Sequence, residues 1–125
     1  MYDPENFSER HFIYSAPTSD RIRSRQVGRA FRNGTESHFE IRLNIMPKVQ
    51  FYLVPNYREG PAYRIYSGKW RSERGSLKFY RDVGVGNLSH DGDYIVLEFP
   101  ELNQCFYMQI EPLDIHYWAN QSSVA

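Results

Sequence analysis

The sequence has one cysteine, Cys105, and its longest apolar runs are only a few residues long. A single cysteine cannot form an internal disulfide, which fits the reducing cytosol. A membrane-spanning helix needs about 20 apolar residues, so none is expected. The first twelve residues, MYDPENFSERHF, lack the basic and apolar regions of a secretory signal. These absences predict a cytoplasmic protein, in a cell or in an infected host cell, with no membrane partner.

Charge of one sign is also missing from two segments. Residues 82–125 contain no lysine or arginine, and residues 21–34 contain no aspartate or glutamate. The formal net charge of zero therefore hides a basic region, residues 21–81, with fourteen lysines and arginines, and an acidic carboxyl-terminal third with seven acids. Such asymmetry is typical of nucleic-acid contact or of a docking surface, although basic and acidic strands can also neutralise each other within one sheet.

Alternating apolar and polar residues predict an all-β, mainly antiparallel fold. Phe39, Ile41, Leu43 and Ile45 alternate with polar residues, as in a half-buried strand. Similar patterns recur with turn signals between them, which is typical of a small barrel or sandwich of seven or eight strands. The predicted strands lie near residues 11–16, 39–45, 48–55, 62–72, 77–83, 94–99, 105–111 and 114–119.

The chain has the length of one ordinary domain, so a single β-rich domain over residues 1–125 is expected, with frayed tails at residues 1–8 and 120–125. Residues 84–93, GVGNLSHDGD, are rich in turn-forming residues and predict a loop between two strands. Within this loop Asp91-Gly92 is a hairpin signal, because glycine tolerates a positive φ and aspartate can bond to its own backbone.

Residues 19–32 have two alternative interpretations, a short helix or an arm. A helix could begin at Ser19 or Asp20, and it would place Arg21, Arg25, Arg29 and Arg32 on one stripe. Gly28 weakens a helix by about 1 kcal/mol, and an extended arm would instead place Arg21, Arg23 and Arg25 on one side. The arginines are expected to cluster in either case.

These arginines are the first candidate binding residues, because a guanidinium matches phosphate oxygens and its binding releases counterions. The second group lies on two adjacent predicted strands, where aromatic rings that could stack on unpaired bases are interleaved with cations. The two groups predict a non-catalytic module that holds nucleic acid, in single-stranded form, on a basic β-surface. The plainer interpretation is a solvated basic face with aromatic side chains that fill space between strands. The candidate residues are Arg21, Arg23, Arg25, Arg29, Arg32, Arg64, Tyr66, Lys69, Arg71, Arg74, Lys78 and Tyr80.

Two other functions remain open from the sequence alone. The segregated charge could dock on an acidic protein surface or on another copy of the chain, giving a homo-oligomer. A protein-interaction module or a virus- or phage-encoded inhibitor would have such a surface. Alternatively, the aromatic residues could line a cavity for a small ligand inside a barrel.

Motifs that carry chemistry are not recognisable in the sequence. The histidines, His11, His38, His90 and His116, share no metal-ligand spacing with each other or with Cys105, so no metal site is predicted. No nucleophile, base and acid stand out as a set, so neither an enzyme nor a cofactor is predicted. Cys105 lies in an apolar strand and is interpreted as an inert core residue.

The stretch SGKWRS, with Gly68 and Trp70, is similar to the Gly-x-Trp motif of lipocalin-type ligand-binding barrels. That family places the motif on its first strand and packs a later arginine over the tryptophan. Here the motif lies in the middle of the chain and no arginine follows Arg81, so the family's function is not carried over to this chain.

Overall fold

In the part of the chain that the structure describes, eight antiparallel strands form a closed barrel, and every strand pairs with its neighbours along the chain. The structure is a computed structural model that describes residues 9–32, 36–71 and 76–112, with the backbone alone for residues 69–71 and 76–80. It confirms the prediction of a small all-β barrel. The strands are β1 (Glu9–Tyr14), β2 (Gln26–Arg32), β3 (Phe39–Leu43), β4 (Phe51–Pro55), β5 (Tyr63–Arg71), β6 (Ser76–Leu88), β7 (Tyr94–Phe99) and β8 (Gln104–Gln109).

The barrel is closed by pairing between its first and last strands. Ile13 and Tyr14 of β1 are the register partners of Met108 and Tyr107 of β8. A short 3₁₀ turn at Pro100–Leu102 joins β7 to β8 and brings the last strand back beside the first.

Side chains that point inward from the strands form the core. Ile41 from β3 and Leu97 from β7 are 0% exposed. Phe99 packs edge to face on Phe51 and on Phe106, with ring centroids 5.3 and 5.7 Å apart. Burying a side chain of this size stabilises a fold by roughly 1.5–3 kcal/mol. An eight-stranded barrel has an interior of about the width that such side chains fill.

The prediction of a helix in residues 19–32 is wrong, because Gln26–Arg32 forms strand β2 and the arginines before it lie in the β1–β2 connection. Strand β2 pairs with β1 on one side and with β3 on the other, so two ladders hold its backbone. Gly28 and Ala30 are buried while Arg29 between them is exposed, which is the period of a strand. Pairing on both sides outweighs the local preference of a segment in which glycine already disfavours a helix.

The loop predicted at residues 84–93 is shorter than expected, because β6 continues to Leu88. A Cβ atom on Gly84 would lie 2.2 Å from the carbonyl oxygen of Glu98, so glycine lets β6 and β7 approach closely. The predicted turn at Asp91-Gly92 is confirmed: Gly92 has a φ of 80°, and the Ser89 amide donates to the Tyr94 carbonyl oxygen at 2.7 Å.

Cys105 is exposed on β8, so its interpretation as a core residue is wrong. The inward position is taken by its neighbour Phe106, which is buried. Partial burial and the nearby Glu98 carboxylate raise the pKa of the Cys105 thiol above its ordinary value of 9.0. The thiol is therefore protonated near neutral pH and is a weak nucleophile.

Some sequence predictions fall on residues that the structure does not describe. These are the frayed tails at residues 1–8 and 120–125 and the strand at residues 114–119. The Gly68 and Trp70 motif lies on β5, in the middle of the barrel order. Within residues 9–32, 36–71 and 76–112, no helix is long and apolar enough to cross a bilayer.

Candidate nucleic-acid interface

The two ends of the barrel carry opposite charge. In a barrel whose strands follow chain order, the connections β1–β2, β3–β4, β5–β6 and β7–β8 all emerge at one end. We refer to this as the basic end, because the connections described there carry four cations against Asp20 and Glu101. The opposite, acidic end has Arg58 against five acids in its described connections and in the segment that follows β8. The four cations are Arg21, Arg23, Arg25 and Lys48, and the five acids are Glu36, Glu59, Asp91, Asp93 and Glu111.

The most basic connection is the arginine loop, residues 15–25, which joins β1 to β2. Ser15 closes its base: the Ser15 amide donates to the Arg25 carbonyl oxygen at 2.9 Å, and Ser15 Oγ accepts from the Arg25 amide at 3.0 Å. The Ser15 hydroxyl also donates to the Arg23 carbonyl oxygen at 2.6 Å. Farther along the loop, the Thr18 amide donates to the Tyr94 hydroxyl at 2.9 Å. The loop is therefore held at its base and runs along the outside of the barrel as far as the start of β7, where Thr18 lies close to Asp93 and Glu111 of the acidic end.

A turn around Asp20 shapes the tip of the arginine loop. Asp20 Oδ1 accepts from the Arg23 amide at 3.1 Å, and the Asp20 carbonyl oxygen accepts from the Ser24 amide at 2.9 Å. Arg25 Nη1 donates to the carbonyl oxygens of Ile22 and Ser24, each at 3.1 Å. The arginine side chains of the loop are exposed, and Ile22 between two of them is 85% exposed.

Arg29 extends the same basic surface onto the outer face of β2. It is exposed, and its register partners are Phe12 on β1 and Arg42 on β3. Arg42 Nη2 donates to Glu40 Oε1 at 2.6 Å, so the charge of Arg42 is paired. Among the described residues, no ion pair involves Arg29 or the arginines of the loop.

Arg32 does not belong to this surface, contrary to the sequence prediction. On β2 it follows Gly28 and Ala30 toward the barrel interior, where its guanidinium donates to the Glu9 carboxylate and lies 5.1 Å from the Phe39 ring centroid. The partner acid lies 23 residues earlier in the chain. The cation that appeared to continue the arginine cluster is therefore neutralised inside the mouth of the barrel.

The second predicted group is divided by the structure. Arg64 Nη1 donates to Asp82 Oδ2 at 3.2 Å, so this arginine is already paired with an acid of its own chain. Tyr66 faces Tyr52 across the β4–β5 ladder, and the Tyr52 side chain is 2% exposed. Neither Arg64 nor Tyr66 continues the unpaired basic surface of the arginine loop.

The other members of that group lie on the β5–β6 ribbon. Lys69 and Lys78 are register partners there, and Arg71 and Tyr80 occupy backbone positions on the same two strands. Because the β5–β6 connection emerges at the basic end, the ribbon brings its cations to the same end as the arginine loop. Arg74 lies outside the described residues.

Aromatic residues on the outer face of β1 and β8 were missed by sequence reasoning. Phe12 and Tyr14 are half-buried, with ring centroids 6.2 Å apart and ring planes at 76°. Tyr14 faces Tyr107 across the ladder that closes the barrel. In the sequence, residues 11 and 13 are apolar or aromatic, and so are residues 12 and 14. The pattern alone therefore does not show which of the two pairs points outward.

A buried polar cluster at the acidic end of the interior was also missed. His11 is 3% exposed; its Nδ1 lies 2.8 Å from the Gln109 carbonyl oxygen, and its Nε2 lies 3.1 Å from Glu9 Oε2. Glu9 in turn faces Arg32 across β1 and β2. The spacing of two residues places Glu9 and His11 on one face of a strand, but only the strand register brings Arg32 to them.

Burial by itself raises the pKa of Glu9, but hydrogen bonds from Arg32 and His11 and their charges outweigh it, so the pKa lies below its ordinary value of 4.5. A carboxylate with a lowered pKa in the folded state stabilises that state above its unfolded pKa. This contribution disappears as pH falls through the folded pKa, so the relevant window lies below about pH 4.5.

We expect Glu9→Gln to lower the free energy of unfolding by about 1 kcal/mol at pH 7, because charge-assisted hydrogen bonds in a half-exposed setting are lost. Urea denaturation of both proteins at pH 7 and pH 3 measures the effect, and the difference should be smaller at pH 3, which lies below the ordinary pKa of the carboxyl. Glu98→Gln, on the outer face of β7, is the matched control. An equal difference at both pH values would show that the ion pair is not its cause.

Comparison of the chain with protein-family models, with curated proteins and with solved structures finds no significant match. Within the part of the chain that the structure describes, no group of three histidine, cysteine or acidic side chains could hold a metal ion. The site is therefore defined by its own geometry: an ordered loop with exposed arginines, Arg29 beside it, and aromatic rings on the adjoining strands.

Proposed function

We propose that this protein is a non-catalytic binding module that holds single-stranded nucleic acid at the basic end of its barrel. The observation that carries the proposal is the exposure of Arg21, Arg23 and Arg29, which form no ion pair within the described ranges. Two other surface arginines differ from them, since Arg64 is bonded to Asp82 and Arg81 to Glu101. Unpaired arginines are thus concentrated on the arginine loop and on the adjoining strand β2.

An exposed guanidinium without an acidic partner keeps its donors for an external anion. It has five N–H donors in a fixed geometry that matches two phosphate oxygens at once. The arginine loop is already ordered by Ser15 and Asp20, so binding requires less loss of loop entropy. Several neighbouring phosphates on one strand can be neutralised together, and each releases counterions, which favours a nucleic acid over a small anion.

Fluorescence anisotropy with a labelled single-stranded 20-mer tests the proposal. For three or four neutralised phosphates, affinity is expected to fall roughly 20- to 50-fold between 50 and 200 mM salt, from a slope of about −0.7 per phosphate. Glu9→Gln, at the other end of the barrel, should bind as wild type does. Absence of binding at 50 mM salt, or an affinity that does not change with salt, would contradict the proposal.

A second candidate function is end-to-end association between copies of the chain. The opposite charge of the two barrel ends favours it, since unlike surfaces that meet head to tail form rings or filaments. Light scattering at 50 and 500 mM salt separates the two candidates. A chain that is monomeric at both salt concentrations and binds the oligonucleotide supports the first, whereas salt-sensitive oligomers without oligonucleotide binding support the second.

A further inference from the structure

The outer face of the barrel beside the arginine loop carries a continuous aromatic strip. We define the aromatic strip as Phe12 and Tyr14 on β1 and Tyr107 on β8. Tyr14 and Tyr107 are register partners, and Phe12 lies two residues from Tyr14 on the same side of β1. All three side chains are partly exposed. Tyr107 also packs edge to face on Tyr94, with ring centroids 5.9 Å apart, which supports the strip from β7.

One unpaired arginine lies directly beside this strip, and the arginine loop starts and ends next to it. Arg29 is the register partner of Phe12, so a cation stands directly beside one end of the strip. The arginine loop begins at Ser15, one residue after Tyr14, and returns at Gln26, the register partner of Tyr14. The ring of Phe12 and the unpaired guanidinium of Arg29 therefore belong to adjacent positions on β1 and β2. This is the combination that single-strand binders use for bases and phosphates, respectively.

The spacing of the rings favours an extended strand over a duplex. The Phe12 and Tyr14 ring centroids are 6.2 Å apart, whereas stacked nucleotides rise about 3.4 Å along a duplex strand. Bases on neighbouring rings must therefore belong to a strand that has lost its own stacking. In a duplex the base faces are covered by their neighbours, so the strip could not stack on them.

The two rings are also not stacked on each other. Their planes meet at 76°, so the edge of one ring lies toward the face of the other. Tyr66, one of the tyrosines that the sequence suggested for stacking, instead faces the almost fully buried Tyr52 on the neighbouring strand. Within the aromatic strip, the ring directly beside an unpaired cation is that of Phe12, next to Arg29.

We infer that the aromatic strip of Phe12, Tyr14 and Tyr107 is the base-stacking platform of this protein, with Arg29 and the arginine loop holding the phosphates on either side. The inference rests on the proposed function and names the ligand class as single-stranded nucleic acid bound by base stacking without sequence-specific readout. Binding of duplex DNA, or of a polyanion such as heparin that is held by charge alone, is an alternative that the test distinguishes.

The test uses Phe12→Leu, Tyr14→Leu and Tyr107→Leu, which keep apolar volume and remove the aromatic ring. Each variant is expected to bind the single-stranded 20-mer roughly tenfold more weakly, since stacking of one base contributes about a factor of ten. The salt slope should stay as in wild type, because no charge is removed. Tyr57→Leu, at an 87% exposed tyrosine of the acidic end, is the matched control and should bind as wild type does.

The outcomes separate this inference from the proposed function. If wild type binds no oligonucleotide, both fail together. Wild type could bind with salt dependence while the leucine variants bind equally well, or while duplex and heparin bind as tightly as the single strand. Either result would contradict the stacking platform and leave the phosphate site supported. Selective weakening of single-strand binding supports the platform.

Photo-cross-linking keeps the inference testable even if a leucine variant does not fold. Wild-type protein is irradiated with a 5-bromouracil single strand and digested with trypsin, which releases residues 11–21 as one peptide with Phe12 and Tyr14. A cross-link to Phe12 or Tyr14 is expected. Cross-links confined to residues 65–69, the peptide that carries Tyr66, would overturn the inference.

Discussion

Changing Arg21, Arg23 and Arg29 together to glutamine is expected to weaken binding of a single-stranded 20-mer roughly a hundredfold at 50 mM salt. Each substitution removes a charge-assisted hydrogen bond to phosphate, which contributes about 1 kcal/mol at an exposed site. All three side chains are exposed, so the fold should be almost unaffected. Fluorescence anisotropy gives the affinity, and circular dichroism gives the thermal midpoint as a check on folding.

The matched control for this triple variant is Arg58→Gln. Arg58 is an exposed arginine in the β4–β5 connection, at the acidic end of the barrel. Its substitution changes net charge without touching the arginine loop, so the oligonucleotide affinity should remain within about twofold of wild type. If the triple variant and the Arg58 variant bind equally well, binding does not occur at the basic end.

Changing Gly28 to alanine is expected to lower the free energy of unfolding by about 1–3 kcal/mol, which is the range that overpacking of a core costs. A Cβ atom at this position would lie 2.3 Å from the carbonyl oxygen of Arg42 and 3.1 Å from Leu43 Cδ2. The first contact is with backbone of the paired strand β3, which cannot move aside without disturbing the ladder. Urea denaturation measures the loss.

Gln26→Ala is the control for the Gly28 substitution, because Gln26 is exposed and begins the same strand. A surface change of this kind usually alters stability by less than about 0.5 kcal/mol. Equal stability of the Gly28 variant and wild type would mean that β2 and β3 do not approach each other as closely as described. The central position of β2 in the barrel would then be in doubt.

Strand prediction succeeded where large apolar residues alternate with polar ones. Phe39, Ile41 and Leu43 alternate in this way, and all three are buried on β3. Strand β2 shows the reverse pattern, since its buried positions are Gly28 and Ala30 and its outer face carries Phe31. Small inward residues and an aromatic outward residue do not produce the alternation that predicts a strand. The spacing of the arginines favours a helix instead. Only the ladders with β1 and β3 decide the conformation.

The charge asymmetry of the sequence was informative, but the pairing of individual cations was not predictable. Arg32 is neutralised by an acid 23 residues earlier in the chain, and Arg64 by one 18 residues later. Both pairs depend on strand register, which a single sequence does not specify. Arg21, Arg23 and Arg29 cannot be distinguished from them by residue type. These three arginines differ because they are exposed and have no acidic partner in the described ranges, and only the structure shows this.

The salt dependence of oligonucleotide affinity, compared between wild type and the variant with Arg21, Arg23 and Arg29 changed to glutamine, tests the central claim most directly. If these side chains neutralise phosphates, the slope of log affinity against log salt should become less negative by about 0.7 for each arginine removed, or roughly 2 in total. Equal slopes for wild type and the variant would contradict the account, because the exposed arginines would then hold no phosphate.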